Sequence, residues 1–273
     1  MSQESRDQQS RVRALMKALK LNQAERTITE HLPQDPAERV RALGVIERIL
    51  TAEQAHRVER RIERRIQQAR FPDMPTLETF DFDFQTGIDR ELVMDLATLA
   101  WVDRQEDLVL IGQSGTGKSH IAKALCLIGC KQQRSVLYTT CADMMTILFA
   151  SLADNTLAEA IKRYVRPQML LIDDLGYDPI EQEQARESQL LYKVLEARHQ
   201  KASTIVTSNL DAEDWPAYLG NHYLTIALLD RLLYRGTAIT IDGPSWRLHQ
   251  HEQRMAARAR RRSGEDPKRE EIG

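Results

Sequence analysis

An eight-residue glycine-rich segment limits what this chain can fold into more than any other feature of its sequence. Residues 112–119 read GQSGTGKS and match the phosphate-binding pattern G-x-x-x-x-G-K-[ST]. Such a loop requires a buried strand before it and the first turn of a helix after it. The sequence meets this condition, because Leu108–Ile111 is an apolar run and a helix is predicted over Lys118–Gln132. We therefore predict a strand–loop–helix unit that binds a nucleoside triphosphate.

The residue types of the loop indicate how it would bind phosphate. Gly112 and Gly117 allow backbone angles and close approaches that a side chain would block, so that successive N–H groups point into one concavity at a helix N-terminus. Lys118 is predicted to reach the β- and γ-phosphates, and Ser119 to bind Mg²⁺ through its hydroxyl. A glycine loop that arises by chance is the alternative, and the flanking strand and helix argue against it. The residues predicted to bind nucleotide are Gly112, Gln113, Ser114, Gly115, Thr116, Gly117, Lys118, Ser119 and His120.

Two carboxylates follow the third apolar run, where residues 169–174 read MLLIDD. Adjacent carboxylates at the end of a buried strand repel each other unless a cation is near. We predict that Asp173 belongs to the Mg²⁺ shell, through a water molecule, and that Asp174 orients or activates the water that attacks the γ-phosphate. The alternative is a strand-end pair that only caps a loop.

The next strand ends in Asn209, which is predicted to orient the attacking water, although an ordinary strand-to-turn asparagine has the same pattern. No Asn-Lys-x-Asp motif for guanine occurs, so ATP is the predicted nucleotide. The adenine site has no clear motif. The alternating phenylalanines of TFDFDF at 79–84 suit either a cover for the base or the core, and the core is the favoured interpretation.

Five short apolar runs alternate with helical stretches, a pattern typical of a parallel sheet covered by helices on both faces. Residues 1–70 instead carry apolar residues at helical spacing, with Pro33 and Pro36 between the first and second stretches and a third stretch over 52–69. We predict a helical N-terminal domain over 1–70, an ATPase domain over 71–253, and a basic and polar tail over 254–273. The predicted strands are Leu108–Ile111, Val136–Thr139, Met169–Ile172, Thr204–Thr207 and Ala238–Ile241.

Composition adds few constraints. The formal net charge of −2 gives no indication of a nucleic-acid partner for the chain as a whole. Neither a signal peptide nor an apolar run long enough for a membrane span is found, so a cytoplasmic protein without a membrane partner is expected. The three cysteines, Cys126, Cys130 and Cys141, are interpreted as buried reduced thiols.

Several blocks of the sequence together resemble the IstB-like helper ATPases of bacterial insertion sequences, which are relatives of the DnaC helicase loaders in the AAA+ superfamily. The resemblance covers about two thirds of the chain and implies an α/β fold, the AAA+ three-layer sandwich with a five-stranded parallel sheet in the order 5-1-4-3-2. It also implies ATP-dependent homo-oligomers on duplex DNA that recruit or stimulate a transposase. The blocks are ARFP at 69–72, TLETFDFDFQ at 76–85, GQSGTGKSH at 112–120, LLIDDLGY at 170–177, STIVTSN at 203–209 and ALLDRLL at 227–233.

The resemblance implies two further site residues. Arg231 aligns with the arginine finger that the family offers to a neighbouring subunit's γ-phosphate, the alternative being a surface arginine paired with Asp230. Arg247 lies near a possible sensor position that contacts the nucleotide. A finger supplied by a neighbouring subunit implies that hydrolysis depends on assembly. Asp174 stands where many members carry glutamate, and its shorter side chain implies slow hydrolysis.

Three basic segments are candidates for DNA contact. The insertion over Cys141–Arg166 faces the central path of the assembly in the related proteins, and here it ends in Lys162, Arg163 and Arg166 with Tyr164 between them. The arginine-rich helix over 57–70 and the arginines of 254–262 are the other two, and a solvated basic face is the alternative for each. No base-reading motif is present, so the expected binding is largely sequence-independent and salt-sensitive.

These features favour an ATP-dependent, oligomeric DNA-binding regulator of transposition. A replicative helicase loader of the DnaC kind is the alternative, because the core motifs hardly distinguish the two. A small-molecule kinase would need a lid and a substrate pocket, and a nucleotide-gated clamp would hydrolyse ATP hardly at all.

Overall fold

A computed structural model describes residues 3–176 and 184–263, and it divides into two compact units between Arg64 and Arg65. Each unit is described by itself below. The part of the predicted tail after Ser263 lies outside the described residues, as does Tyr177 of the LLIDDLGY block.

The first unit consists of helix α1 (Gln3–Ala18), helix α2 (Asn22–His31) and the first part of helix α3 (Pro36–Ala69). Helix α3 begins at Pro36, and the carboxylate of Asp35 accepts hydrogen bonds from the first N–H groups of that helix. The two stretches predicted after Pro36 form one continuous helix, because no proline interrupts the sequence before Pro72. The buried apolar residues of this unit are Val12, Met16, Leu19, Ile28, Leu32, Leu43 and Leu50.

The second unit alternates strands and helices along the chain, as predicted. Short 3₁₀ turns at Leu77–Thr79 and Ala212–Asp214 supplement its regular elements. Those elements are α4 (Arg90–Ala97), α5 (Ala100–Asp103), β1 (Leu108–Ile111), α6 (Lys118–Lys131), β2 (Val136–Thr140), α7 (Cys141–Ala153), α8 (Leu157–Val165), β3 (Met169–Leu175), α9 (Gln184–Arg198), β4 (Ser203–Ser208), α10 (Trp215–Leu219), α11 (His222–Leu233), β5 (Thr237–Thr240) and α12 (Trp246–Ser263).

The five strands form a parallel sheet in the order β2-β3-β4-β1-β5, which confirms the predicted fold and strand order. Alternate residues of β1 belong to different hydrophobic clusters, with Leu108 and Leu110 in one and Val109 and Ile111 in the other. Helices therefore cover both faces of the sheet, as the fully apolar strands indicate.

The buried cysteines fit the interpretation as thiols. Cys126, Cys130 and Cys141 are all buried and none forms a disulfide. Burial raises the pKa of Cys130 to about 11, so the thiol form is favoured near neutral pH. In the part of the chain that the structure describes, no helix has the length and apolar character that crossing a bilayer requires.

Candidate nucleotide site

The glycine-rich loop adopts a conformation that side chains would block. Gly112 has φ 149°, and a Cβ there would lie 2.4 Å from the carbonyl oxygen of Ile241. Gly117 has φ 97°, and a Cβ there would lie 2.5 Å from the ring of Phe80. The two glycines thus permit both the backbone conformation and the close approach of neighbouring segments. The loop with these conformations lies between β1 and α6.

Lys118 is only 7% exposed, and its ammonium group lies against the loop. Its Nζ donates hydrogen bonds to the carbonyl oxygens of Gly112 (2.6 Å) and Gln113 (2.8 Å). Burial lowers the pKa of Lys118, while the carboxylates of Asp174 and Asp173 act in the opposite direction. The structure therefore places a buried cation at the loop, with acids close enough to favour its charge.

A β-bulge separates the two acids. Between the pairs Ile172–Val206 and Leu175–Ser208, two residues of β3, Asp173 and Asp174, stand opposite the single Thr207 of β4. The extra residue is accommodated by Asp174, which has φ 60°. In a regular strand the two side chains would alternate strictly across the sheet, and the bulge changes the direction of the second.

The environments of the two carboxylates differ accordingly. Asp173 is 2% exposed, and its oxygens accept hydrogen bonds from the hydroxyls of Thr207 (2.5 Å) and Tyr138 (3.3 Å). Asp174 is exposed, and its backbone N–H donates to the Thr207 hydroxyl at 3.0 Å. Although Asp174 is exposed, the surrounding chain removes part of the water around its carboxylate, and this partial desolvation, followed by the nearby charge of Asp173, raises the pKa of Asp174.

A cavity of about 490 Å³ brings many of the predicted residues together. Its wall includes the loop from Ser114 to His120, together with Asp174, Asn209 and Arg247. The side-chain amide of Asn209 is oriented so that its nitrogen donates to the backbone carbonyls of Leu175 (3.1 Å) and Gly176 (3.3 Å). Asp173 is not part of the wall.

The segment before helix α12 reaches the loop across a long sequence separation. The backbone N–H of Trp246 donates to the backbone carbonyl of Gly115 at 3.0 Å, and Arg247 Nη1 donates to the Ser114 hydroxyl at 3.4 Å. Trp246 also lines the cavity, and its indole packs edge-on against Phe84, with ring centroids 4.9 Å apart. The structure thus gives Arg247 a contact with the loop and adds an aromatic wall.

The phenylalanines of 79–84 are predicted either to cover the base or to pack in the core, and the structure places them both along the cavity and against the core. Phe80 lines the cavity and also packs against the core, Phe84 lines the cavity, and Phe82 packs partly buried against the core. His120 lines the cavity too, and its Nε2 donates to the Thr76 carbonyl at 2.8 Å, since a carbonyl oxygen only accepts.

Sequence reasoning missed three participants. Gln85 is 3% exposed, and its side-chain amide donates to the loop carbonyl of Thr116 at 3.0 Å. Its position in the TLETFDFDFQ block, which carries the family resemblance, could have indicated this role. Trp246, beside Arg247, lines the cavity. Lys123, one turn beyond Ser119 on α6, lines it as well and forms an ion pair with Asp73.

Other predicted residues lie away from this cavity. Arg231 on α11 binds Glu196 and does not line it. Lys162, at the end of α8, forms an ion pair with Glu159 at 2.6 Å, and Arg166 is exposed one turn later. Tyr164, which lies between these basic residues in the sequence, is fully buried and packs in the core.

The donor chemistry suits Mg²⁺ bound together with phosphates. Among the described residues, no group of three or more His, Cys, Asp and Glu side chains could hold a metal ion by itself. Magnesium bound with a nucleotide needs only one or two protein ligands, because phosphate oxygens and water supply the rest. The hydroxyl of Ser119, which lines the cavity, and the carboxylates at the end of β3 are hard oxygen donors of the required kind.

Comparison with known proteins gives consistent results. The profile of the family described as "IstB-like ATP binding protein" matches residues 14–254. The IS21 putative ATP-binding protein of Pseudomonas aeruginosa is 40% identical over 192 residues, which are 70% of this chain and 71% of that protein. The IS232 putative ATP-binding protein of Bacillus thuringiensis subsp. berliner is 31% identical over 71% of this chain and 77% of its own length.

Among solved structures, AMPPCP-bound DnaA from Aquifex aeolicus matches 68% of this chain and 56% of its own chain, with a TM-score of 0.50 and 18% identity. A likeness at this identity concerns the fold alone.

Proposed function

The chain belongs to the IstB-like ATP binding protein family and is an ATPase of the AAA+ class, and from this premise we propose that it is an ATP-dependent, oligomeric DNA-binding regulator of transposition. In this proposal it binds target duplex DNA and recruits or stimulates a partner transposase. The observation that carries the proposal is the cavity in which the P-loop, Asp174, Asn209 and Arg247 meet, in a chain whose relatives are insertion-sequence proteins.

The P-loop residues bind the triphosphate in this proposal. The backbone N–H groups from Gln113 to Ser119 donate hydrogen bonds to phosphate oxygens. Lys118 leaves the loop carbonyls and contacts the β- and γ-phosphates instead. Ser119, and Asp173 through water, would hold Mg²⁺. When bound, Mg²⁺ supplies positive charge that neutralises the charge developing on the phosphates.

Asp174 and Asn209 position the attacking water. The raised pKa of Asp174 brings its carboxylate closer to the range in which a general base works at neutral pH. Thr207 fixes the backbone of Asp174 and the carboxylate of Asp173 at the same time, which supports a fixed geometry for both acids. Arg247 contacts Ser114 of the loop and adds a positive charge near the phosphates.

Arg231 completes the site of a neighbouring copy. It does not line the cavity of its own chain, which is the arrangement a finger acting across subunits requires. Such a finger accelerates hydrolysis by about 10³–10⁵-fold. Turnover would therefore depend on assembly, and DNA held by Lys162, Arg163 and Arg166 of several copies would promote it.

Two single variants test the role of ATP in assembly. We expect Lys118→Ala to abolish ATP-dependent oligomers on duplex DNA, because the phosphates lose their central cation. We expect Asp174→Asn to assemble and to retain ATP, because binding remains while water activation is lost. Electron microscopy and measured ATP turnover on the full chain report both effects.

The opposite outcomes are equally clear. If both variants assemble on DNA as the wild type does, nucleotide does not control the oligomer and the proposal is wrong. If the chain with ATP captures a replicative helicase and not the transposase of its insertion sequence, the loader function replaces the regulator function.

A further inference from the structure

We propose that Tyr192 and Glu196 of helix α9 are positioning residues that hold the guanidinium of Arg231 in the orientation in which it acts on a neighbouring copy's ATP. The inference rests on the proposed function, because it concerns how the finger reaches a shared site. It assigns a role to two residues that no sequence motif indicates.

Three contacts define the environment of Arg231. Its Nε donates to Oε2 of Glu196, and its Nη1 donates to the carbonyl of Ala227 at 3.2 Å. Its guanidinium carbon lies 4.9 Å from the centroid of the Tyr192 ring. One edge and one face of the planar group are thereby contacted, and Nη2 takes part in neither hydrogen bond. The geometry orients the group and leaves a donor for a phosphate oxygen.

Buried packing between helices α9 and α11 supports these contacts. Leu191 and Leu195 of α9 are buried in the same hydrophobic cluster as Leu228 and Leu232 of α11, so the two helices pack directly against each other. Tyr192 and Glu196 are four residues apart and therefore share one face of α9. A long arginine side chain that is ordered before assembly loses less conformational entropy when the complex forms.

An ordinary surface ion pair is the competing explanation. The Arg231 and Glu196 side chains are 26% and 48% exposed, and pairs of this kind contribute little to stability. Loss of Glu196 would then change neither stability nor turnover by much. A positioning role also predicts little change in stability, but it predicts a large loss of turnover at the neighbouring subunit's site.

Mixed oligomers locate the effect. Asp174→Asn chains provide an intact finger but do not hydrolyse ATP, and Arg231→Ala chains provide an intact site but no finger. We expect neither variant to turn over ATP alone on duplex DNA, and an equimolar mixture to regain activity where the two kinds of chain meet. Glu196→Ala is then added to the finger donor, the Asp174→Asn chain, and in a second mixture to the site donor instead.

We expect Glu196→Ala to lower the regained kcat by about 10- to 100-fold when the finger donor carries it, since a misplacement of about 1 Å has effects of this size. KM for ATP and the thermal midpoint of the donor should change little. Glu196→Gln keeps a carbonyl oxygen for Nε and should restore most of the turnover, and Tyr192→Phe should retain more turnover than Tyr192→Leu. Lys193→Ala, an exposed change on the same helix, is the matched control.

The outcomes separate the two proposals. If the first mixture regains no activity, Arg231 does not act across subunits, and the shared-site part of the proposed function and the positioning role both fall. If it regains activity but Glu196→Ala in the finger donor leaves kcat within about twofold of the control, the shared site stands and the positioning role is overturned. An equal loss from Glu196→Ala in either chain also overturns it, because the effect would not follow the finger.

Discussion

The hydroxyl of Thr207 connects the two acids of the candidate site, because it donates to Asp173 and accepts from the N–H of Asp174. A side chain without a hydroxyl would leave the buried carboxylate of Asp173 short of one donor, which costs about 1–3 kcal/mol. The bulge that places Asp174 at the cavity therefore depends on the neighbouring strand as well as on the acids themselves. At the scale of single residues, polar partners in β2 and β4 set the chemistry that the MLLIDD sequence only indicates.

A third acid, Asp107, links the strands at the opposite end of the sheet. Its Oδ1 accepts from the Thr204 N–H at 2.6 Å, and its backbone carbonyl accepts from the Thr237 N–H at 2.9 Å. It thus joins the starts of β4 and β5 to that of β1. Burial raises the pKa of Asp107 to about 6, although the Thr204 N–H and the charge of Arg198 oppose the shift.

The raised pKa predicts a pH-dependent stability. The folded chain binds the Asp107 proton more tightly than the unfolded chain does, so the stabilising contribution is present below pH 3.8 and is lost as the pH rises through about 6. We expect wild type to lose up to about 3 kcal/mol of unfolding free energy relative to Asp107→Asn over this window, because the amide does not titrate. Urea unfolding of both proteins between pH 3 and 7.5, followed by tryptophan fluorescence, measures the difference. A difference that is constant with pH would show that Asp107 ionises normally.

At the scale of elements, helix α12 includes residues that the sequence analysis assigns to two different segments. The sequence suggests a basic tail from residue 254, whereas the helix runs without a break from Trp246 to Ser263. Its first turn brings Trp246 and Arg247 to the P-loop. The element that begins at the cavity therefore continues directly into the arginine-rich segment.

Trp246 is predicted to contribute to base binding. Trp246 lines the cavity, and its indole packs against Phe84. Stacking of a base on an aromatic ring contributes about 1–3 kcal/mol, or about 5- to 150-fold in affinity. We expect Trp246→Ala to weaken ATP binding by a factor in this range and to leave binding of inorganic tripolyphosphate unchanged. Calorimetry with both ligands measures the two affinities.

Leu248→Ala is the matched control, because Leu248 is on the same helix turn, is 65% exposed and does not line the cavity. Equal losses for ATP and tripolyphosphate in Trp246→Ala would indicate that the substitution damages the P-loop and that the indole does not bind the base.

Local sequence was sufficient for the P-loop and the five strands, because each depends on a short run of residue types. Long-range contacts were not accessible in this way: Gln85 donates to Thr116, and Arg247 reaches Ser114 across 133 residues. The bulge at Asp174 depends on pairing with β4. The burial of Tyr164 was accessible, since Leu157, Ile161 and Tyr164 recur at helical spacing and pack against one cluster.

At the scale of the whole molecule, the net charge is only −2, although the chain contains separate basic segments at 57–70, 162–166 and 254–262. Neutralising phosphates with such surfaces makes affinity depend on salt, and each phosphate contact contributes about one unit to the slope of log affinity against log salt concentration. The end of α8 is the surface on which this dependence is most sharply testable. Lys162 there is already paired with Glu159, whereas Arg166 is exposed one turn later.

The pairing predicts unequal effects of two similar changes. We expect Arg166→Ala to reduce the salt slope of ATP-dependent binding to duplex DNA by about one unit per bound chain, and Lys162→Ala to reduce it by less, because Glu159 already offsets that charge. Glu159→Gln should have the opposite sign, with tighter binding and a steeper slope, since it frees Lys162 for a phosphate. Fluorescence anisotropy over a range of salt concentrations measures the slopes, with Lys193→Ala and Lys201→Ala, exposed lysines of and beside α9, as charge-matched controls. If all five variants keep the wild-type slope, the end of α8 is not part of the DNA surface. If the two control variants lower the slope as much as Arg166→Ala does, only the total charge of the chain matters.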